Sequence, residues 1–289
     1  DSARPLMWNA AASVRSAEHN MAALGLDQAR IVCGDGVEYL RQMGPVDFIY
    51  LDPARRDEHG SRTYAIEDCT PNVFELRDLL LVKSQYTLVK LSPMLDWRKA
   101  VADFDGAVRE VHIVATGNEC KELLLVLGQQ VHEEPSAPRV FCVNDNQRID
   151  YDSAAYTQGL RIGGKPLPEA KNYLYEPNAS IMKAGCFDLV EERFGVTQVG
   201  PSSHLFVSAT PVADFPGRGF AIEAIGGMNK KDIKRLLNGT KQANIAVRNF
   251  PLTAPQLRKK LKLADGGPVY LFGTTMQGCD HVLLRTSKI

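Results

Sequence analysis

The sequence predicts an α/β protein, with an open parallel sheet finishing in an antiparallel hairpin and small α+β domains after it. Three observations predict this. Residues 1–150 alternate apolar strand-like runs with helix-like segments, the pattern of a layered α/β sheet. The alternation then ends in two apolar runs, Glu110–Ala115 and Lys121–Leu127, whose connection is too short for a parallel crossover. Beyond Phe215 an order of strand, helix, strand, helix, strand, strand returns on a smaller scale. A chain of 289 residues also exceeds the usual ~100–200 residues of one domain, so it divides into 1–150, 151–216 and 217–289.

The elements follow in order. Ala10–Leu24 is Ala-rich and helical, with Gly25 as its stop. Arg30–Cys33 is a short strand closing on Gly34-Asp35-Gly36, and Val37–Met43 is a helix ended by Gly44-Pro45. Val46–Leu51 is a buried strand running into Asp52-Pro53. Asn72–Val82 carries Val73, Leu76, Leu79 and Leu80 at helical spacing; Thr87–Leu91 is a strand and Asp96–Phe104 a helix. Between Tyr151 and Pro216 the pattern is irregular, with one long helix over Ala179–Phe194, a strand over His204–Ser208, and Pro216–Gly219 reading as a linker. In the last segment Phe220–Ile225, Ala243–Val247, Val269–Thr274 and His281–Arg285 read as strands. Asn229–Leu237 and Leu257–Leu263 read as helices, the second opened by a Thr253/Gln256 capping box. This order predicts helices packed on one sheet.

Composition excludes several function classes. Apolar residues at 44% and charged residues at 24% are those of a globular protein, not a disordered one. No run reaches the ~18 apolar residues of a membrane helix, and no signal-peptide core is present. The six cysteines, Cys33, Cys69, Cys120, Cys142, Cys186 and Cys279, form no C-x-x-C pair. That excludes a zinc knuckle or disulfide framework and fits a reducing cytoplasm. No H-E-x-x-H, P-loop or G-x-S-x-G motif supports a metalloprotease, NTPase or hydrolase, and nothing calls for a metal.

The formal charge is zero, yet it is segregated. Residues 215–289 hold 13 basic and 4 acidic residues, or +9, and the first 214 therefore carry −9. Between Lys230 and Lys262 ten basic residues meet one acid, Asp232. A basic appendage on an acidic body suits a polyanion, although lysine-rich solvated helix faces are also common. Lys230, Lys231, Lys234 and Arg235 fall on one helix and Lys259, Lys260 and Lys262 on the next. If both helices share one side of the sheet, these residues form a stripe fit for an RNA backbone.

Two strand ends carry candidate chemistry. Cys33-Gly34-Asp35-Gly36 places a carboxylate where ligands of open α/β sheets bind, and where it could accept a hydrogen bond from an amino group; a plain Gly-Asp-Gly turn is the alternative. At Asp52-Pro53-Ala54-Arg55-Arg56, Pro53 leaves the sheet rigidly and holds Asp52 at the cleft, with two arginines placed to grip phosphate or substrate. Solvated arginines on an ordinary strand exit are the alternative there. Cys142 or Cys69 could act as a nucleophile, but neither lies in a recognisable motif. His112 and His281 read as packed or surface groups, and Trp8 and Trp97 as packing residues.

These residues resemble a known family. Glu18-His19-Asn20, Leu24-Gly25-Leu26, Gly34-Asp35 and the run from Asp47 through Asp52-Pro53-Ala54-Arg55-Arg56-Asp57 resemble class I S-adenosylmethionine-dependent methyltransferases. Their Rossmann-like sheet also finishes in an antiparallel hairpin. Tyr175-Glu176-Pro177-Asn178-Ala179-Ser180-Ile181 and Ala184-Gly185 resemble the ferredoxin-like middle domain of a bacterial branch of that family. Ile225-Gly226-Gly227-Met228-Asn229-Lys230-Lys231 resembles that branch's C-terminal THUMP-like domain.

The resemblance implies S-adenosylmethionine as cofactor, bound by Gly34, Asp35, Gly36 and Asp52, with Asp35 on the adenine. It implies catalysis at Asp52, Pro53, Arg55 and Arg56, and structured RNA as partner. Ala54 replaces the second proline of the related Asp-Pro-Pro-like motif. The Gly-rich loop after the first strand and the acid ending the second are not found, so the expectation is an N-terminally truncated methyltransferase domain that binds cofactor weakly. The alternatives are a non-catalytic RNA-binding or assembly protein, and a methyltransferase of a small molecule or protein.

Overall fold

The computed structural model describes residues 4–8, 11–53, 71–129, 137–156, 167–168, 171–278 and 280–289. The chain forms two compact units, one of Asp1–Val111 with Glu122–Pro138 and one of His112–Lys121 with Arg139–Ile289. No helix among the described residues is long and apolar enough to cross a membrane.

In the first unit, β1 (Arg4–Trp8) pairs in parallel with β2 (Ala29–Cys33) across α1 (Ala11–Ala23). Helix α1 stops where Gly25 takes φ +66° and the Leu26 N–H folds back to the Met21 carbonyl. Helix α2 (Gly36–Gln42) leads to β3 (Val46–Leu51). After α3 (Arg77–Lys83), β4 (Ser84–Leu91) lies parallel to β3, with Leu51 opposite Val89. Helix α4 (Trp97–Asp103) is capped by Asp96, whose carboxylate accepts from the Arg98 and Lys99 amides. The hairpin follows as β5 (Val108–Thr116) and β6 (Glu119–Gly128). Its two-residue turn, Gly117 and Asn118, has φ +56° and +62°, as a type I′ turn requires. Strand β6 runs antiparallel to β4, from Tyr86 opposite Gly128 to Leu91 opposite Leu123.

The parallel strands do not form one sheet. β1 and β2 make a sheet of their own, whereas β3 stands at the edge of a six-stranded sheet of order β3-β4-β6-β5-β7-β8. Val46, Phe48 and Tyr50 of β3 and Tyr86 of β4 share an exposed face of that sheet. Opposite it, Leu80, Val89, Leu91, Phe104, Leu123, Leu125 and Leu127 are buried.

The second unit takes up the hairpin tip and adds β7 (Arg139–Asn144) and β8 (Gln147–Asp152), an antiparallel pair absent from the sequence reading. Asp145 at their turn fastens the tip, its Oδ1 accepting from Thr116 Oγ1 at 2.8 Å and Gly117 N at 3.1 Å. The tip's Asn118 side chain accepts from Ala179 N at 2.8 Å. Strand β9 (Tyr173–Pro177) precedes α5 (Ala179–Ala184) and α6 (Phe187–Phe194). These are two helices where the apolar spacing predicts one, because Gly185 takes φ +67° and closes α5. Asn178 is the N-cap of α5 and also donates to Gln147 Oε1 at 2.9 Å.

Strands β10 (Thr197–Gln198), β11 (Phe206–Ser208), β12 (Gly217–Gly226), β13 (Asn244–Arg248), β14 (Val269–Thr275) and β15 (His281–Lys288) complete a seven-stranded sheet with β9. Its order is β10-β11-β9-β12-β15-β14-β13. Helices α7 (Lys230–Leu237) and α8 (Ala254–Leu261) pack on one face through Leu236, Leu257 and Leu261 against Leu271 and Leu283.

Pro216–Gly219 is not a linker. Gly217 opens β12, which pairs with β9 from Gly217 opposite Pro177 to Ala221 opposite Tyr173. At Gly217 a Cβ would collide with the Glu176 carbonyl oxygen and approach Pro177 Cα within 2.8 Å, and neither is the end of a flexible side chain. Gly217→Ala is therefore expected to cost about 1–3 kcal/mol, the usual range for overpacking. Urea unfolding of the variant beside Gly195→Ala, whose Cβ meets open space but whose φ is +64°, separates contact strain from backbone strain.

Candidate functional site

Asp35 sits at the C-terminal end of β2, exposed with Gly34 and Gly36. Its extended backbone makes it the N-cap of α2, and its Oδ1 accepts from Val37 N at 2.7 Å and Glu38 N at 3.0 Å. One carboxylate oxygen is thus committed to the helix, and Oδ2 makes no hydrogen bond to another described residue. A Cβ built on Gly36 meets nothing within 4 Å, so a ligand can approach the backbone there. This end of β2 therefore offers one uncommitted carboxylate oxygen beside open main chain.

Asp52 follows β3 and is exposed, with Pro53 buried behind it. The parallel register sets Asp52 level with Lys90 on β4, and Lys90 Nζ lies 2.7 Å from Asp52 Oδ2. Lys90 is only partly exposed, and the Asp52 carboxylate raises its pKa against the opposing effect of burial. The ammonium is therefore a fixed positive partner that orients Asp52. In sequence, the one signal of Lys90 is a charged residue inside the apolar run Thr87–Leu91. Tyr50, two residues before Asp52 on the same face, is exposed, as is Met94 beyond β4.

The expected site is brought together in part. Asp35 and Asp52 end strands of different sheets, because β2 takes β1 as partner and β3 takes β4. Ala54, Arg55, Arg56 and Cys69 lie outside the described residues. Cys142 is not poised as a nucleophile. It is buried in β7, and hydrogen bonding with Cys186 together with burial pushes its thiol pKa well above the ordinary value, so thiolate is scarce. His112 stacks on Phe141 at 4.5 Å, and His281 Nδ1 meets Thr275 Oγ1 at 2.9 Å. Trp97 is buried.

The basic residues lie on α7, on α8 and at Lys262, the C-cap of α8. Lys230, Lys231, Lys234, Arg235, Lys259, Lys260 and Lys262 are all exposed. Both helices bury their apolar faces in the same cluster, and so lie on the same side of the sheet. Arg235 differs from the lysines: it donates to the Ile225 carbonyl at 2.7 Å and pairs with Asp232 at 3.2 Å. That engagement holds the turn before α7.

Comparison with known proteins adds three findings. Residues 173–216 match the model of a ferredoxin-like domain, and residues 217–288 that of a THUMP domain-like family. No curated protein matches the chain. Among solved structures, the crystal structure of a "putative methyltransferase" from Porphyromonas gingivalis W83 superposes with a TM-score of 0.85 at 33% identity, over 98% of this chain and 71% of that one. With such identity over nearly its whole length, the chain belongs to the family of that Porphyromonas gingivalis protein, and carries its ferredoxin-like and THUMP-like domains.

Proposed function

We propose that the protein is an S-adenosylmethionine-dependent methyltransferase acting on RNA, with its methyltransferase domain in residues 1–150. The observation that carries the reading is the Asp52–Lys90 pair at the C-terminal ends of parallel strands, where ligands of α/β sheets bind. Asp35, Gly34 and Gly36 would hold the adenine end of the cofactor. The cofactor supplies an electrophilic methyl group. Asp52 accepts a hydrogen bond from the attacking group of the substrate, or its proton, and Lys90 keeps the carboxylate aimed. Positioning of the two reactants supplies most of the acceleration, up to about 7–11 kcal/mol. Arg55 and Arg56 would grip substrate phosphate. The match to the THUMP domain-like family and the exposed lysines of α7 and α8 support RNA as substrate.

With the full-length protein, labelled S-adenosylmethionine and total RNA, Asp52→Ala is expected to lower methyl incorporation about 100-fold or more, the low end for a lost general base. Lys90→Gln should give an intermediate loss. Equal incorporation by wild type and Asp52→Ala would remove Asp52 from the mechanism.

RNA binding by the lysine helices is tested apart from catalysis. Replacing Lys230, Lys231, Lys234, Lys259 and Lys260 by Glu is expected to abolish binding of structured RNA while leaving the unfolding curve in place, since all five are exposed. Single Lys→Gln variants should each flatten the plot of log affinity against log salt by roughly 0.7–0.9. An unchanged slope in the charge-reversed protein would reduce the stripe to a solvated surface.

A further inference from the structure

The sheet face turned away from α7 and α8 carries an apolar cluster that includes Leu174, Val207, Phe220, Phe272 and Leu284. At one end the same face turns polar. Glu176 lies two residues beyond Leu174, Arg218 two before Phe220, Arg248 two beyond Ala246 and Thr274 two beyond Phe272, so strand alternation sets all four on that face.

Glu176 is buried and fully engaged. Its Oε2 accepts from Arg218 Nε at 3.0 Å and from Arg218 Nη2, and its Oε1 accepts from Arg248 Nη2 at 2.7 Å. One carboxylate thus answers two guanidinium groups, leaving one positive charge in excess. The two arginine side chains remain 45% and 38% exposed. Behind them, Arg248 Nε and Thr274 Oγ1 are buried without a hydrogen-bond partner among the described residues, and Arg248 and Thr274 are opposite one another in the β13–β14 register. His204 lies near enough for the charge of Arg248 to act, after burial, in lowering its pKa.

The geometry points to a phosphate-binding site formed by Arg218 and Arg248 and braced by Glu176. A brace alone needs one arginine to neutralise Glu176; the second adds a positive charge. Arg248 is held further by its Nη1, which donates to the Val247 carbonyl at 3.1 Å, whereas Arg218 Nη1 makes no hydrogen bond to another described residue on a half-exposed guanidinium, a donor of the kind that recognises phosphate oxygens. The inference deepens the RNA reading, on which it rests for the carrier, an RNA phosphodiester. Free phosphate is the other source of the same chemistry. The site stands on the opposite face from the lysine stripe, so the two are separable.

The test follows the Arg Nε–Hε signals of the isotope-labelled full chain during titration with inorganic phosphate, with hexauridylate, and with chloride at matched ionic strength. Arg218 and Arg248 signals are expected to move saturably with phosphate and with hexauridylate, and not with chloride. Arg218→Gln, which leaves Glu176 paired with Arg248, should weaken phosphate binding about tenfold or more, the loss of one charge-assisted hydrogen bond. Thr274→Val keeps the shape and both arginines; it should weaken binding about fivefold if the hydroxyl serves the ligand. Shifts with phosphate but not hexauridylate would overturn the RNA carrier. No shift with either, or full affinity in both variants, would overturn the site. The five-lysine variant should keep its phosphate shifts, so failure of the lysine stripe and failure of this site are distinguishable.

Discussion

The second unit depends on the curvature of its seven-stranded sheet. Neighbouring strands stand about 4.8 Å apart, so β9 and β13, four steps apart in the ladder, would be about 19 Å apart in a flat sheet. Yet Arg248 of β13 reaches the carboxylate of Glu176 in β9 at 2.7 Å. The approach is repeated at other points: Asn249 donates to the Pro201 carbonyl at 2.7 Å, and the Gln277 amide to the Val199 carbonyl at 2.9 Å. The sheet must coil for these groups to meet, as strongly twisted sheets do. Coiling encloses Phe220 and Phe272, whose rings lie 4.9 Å apart, and the enclosed apolar surface repays the bending.

That curvature also explains why the two C-terminal family segments are one structural body. The ferredoxin-like match ends at residue 216 and the THUMP-like match begins at 217, yet these neighbours enter a single β9–β12 ladder. The close approach at Gly217 lets the chain pass directly from one segment to the other. A segment that looks like punctuation in sequence is here the start of a ten-residue strand.

Local chemistry was legible; long-range geometry was not. The Gly117-Asn118 turn and the Thr253/Gln256 capping box each act within a few residues, and each is found as the sequence predicts. The apolar run Val46–Leu51 does form a strand, but not the buried one its composition predicts: β3 is an edge strand that leaves Val46, Phe48 and Tyr50 exposed, which apolar composition alone does not register. The single helix expected over Ala179–Phe194 breaks because apolar spacing does not register the left-handed Gly185. At the candidate site, Asp52 was legible from its strand exit. Lys90 was not, because its role comes from the register between strands whose facing residues are nearly forty apart in sequence. Glu176 and Arg248 are a stronger case, 72 residues apart and joined only by the coil of the sheet. Asp35 shows the converse: the sequence marks the residue, and the fold assigns one of its oxygens to α2.

The cysteines have a practical consequence for labelling. Alkylating reagents attack thiolates, and burial beside Cys186 keeps Cys142 protonated and out of reach. Cys33 is the exposed one of the four described thiols, and it ends β2 immediately before Gly34 and Asp35. A fluorophore attached there would stand beside the exposed Gly34–Gly36 turn that opens α2. Its emission would then report on occupancy of that turn in a protein whose two tryptophans include one, Trp97, that is buried.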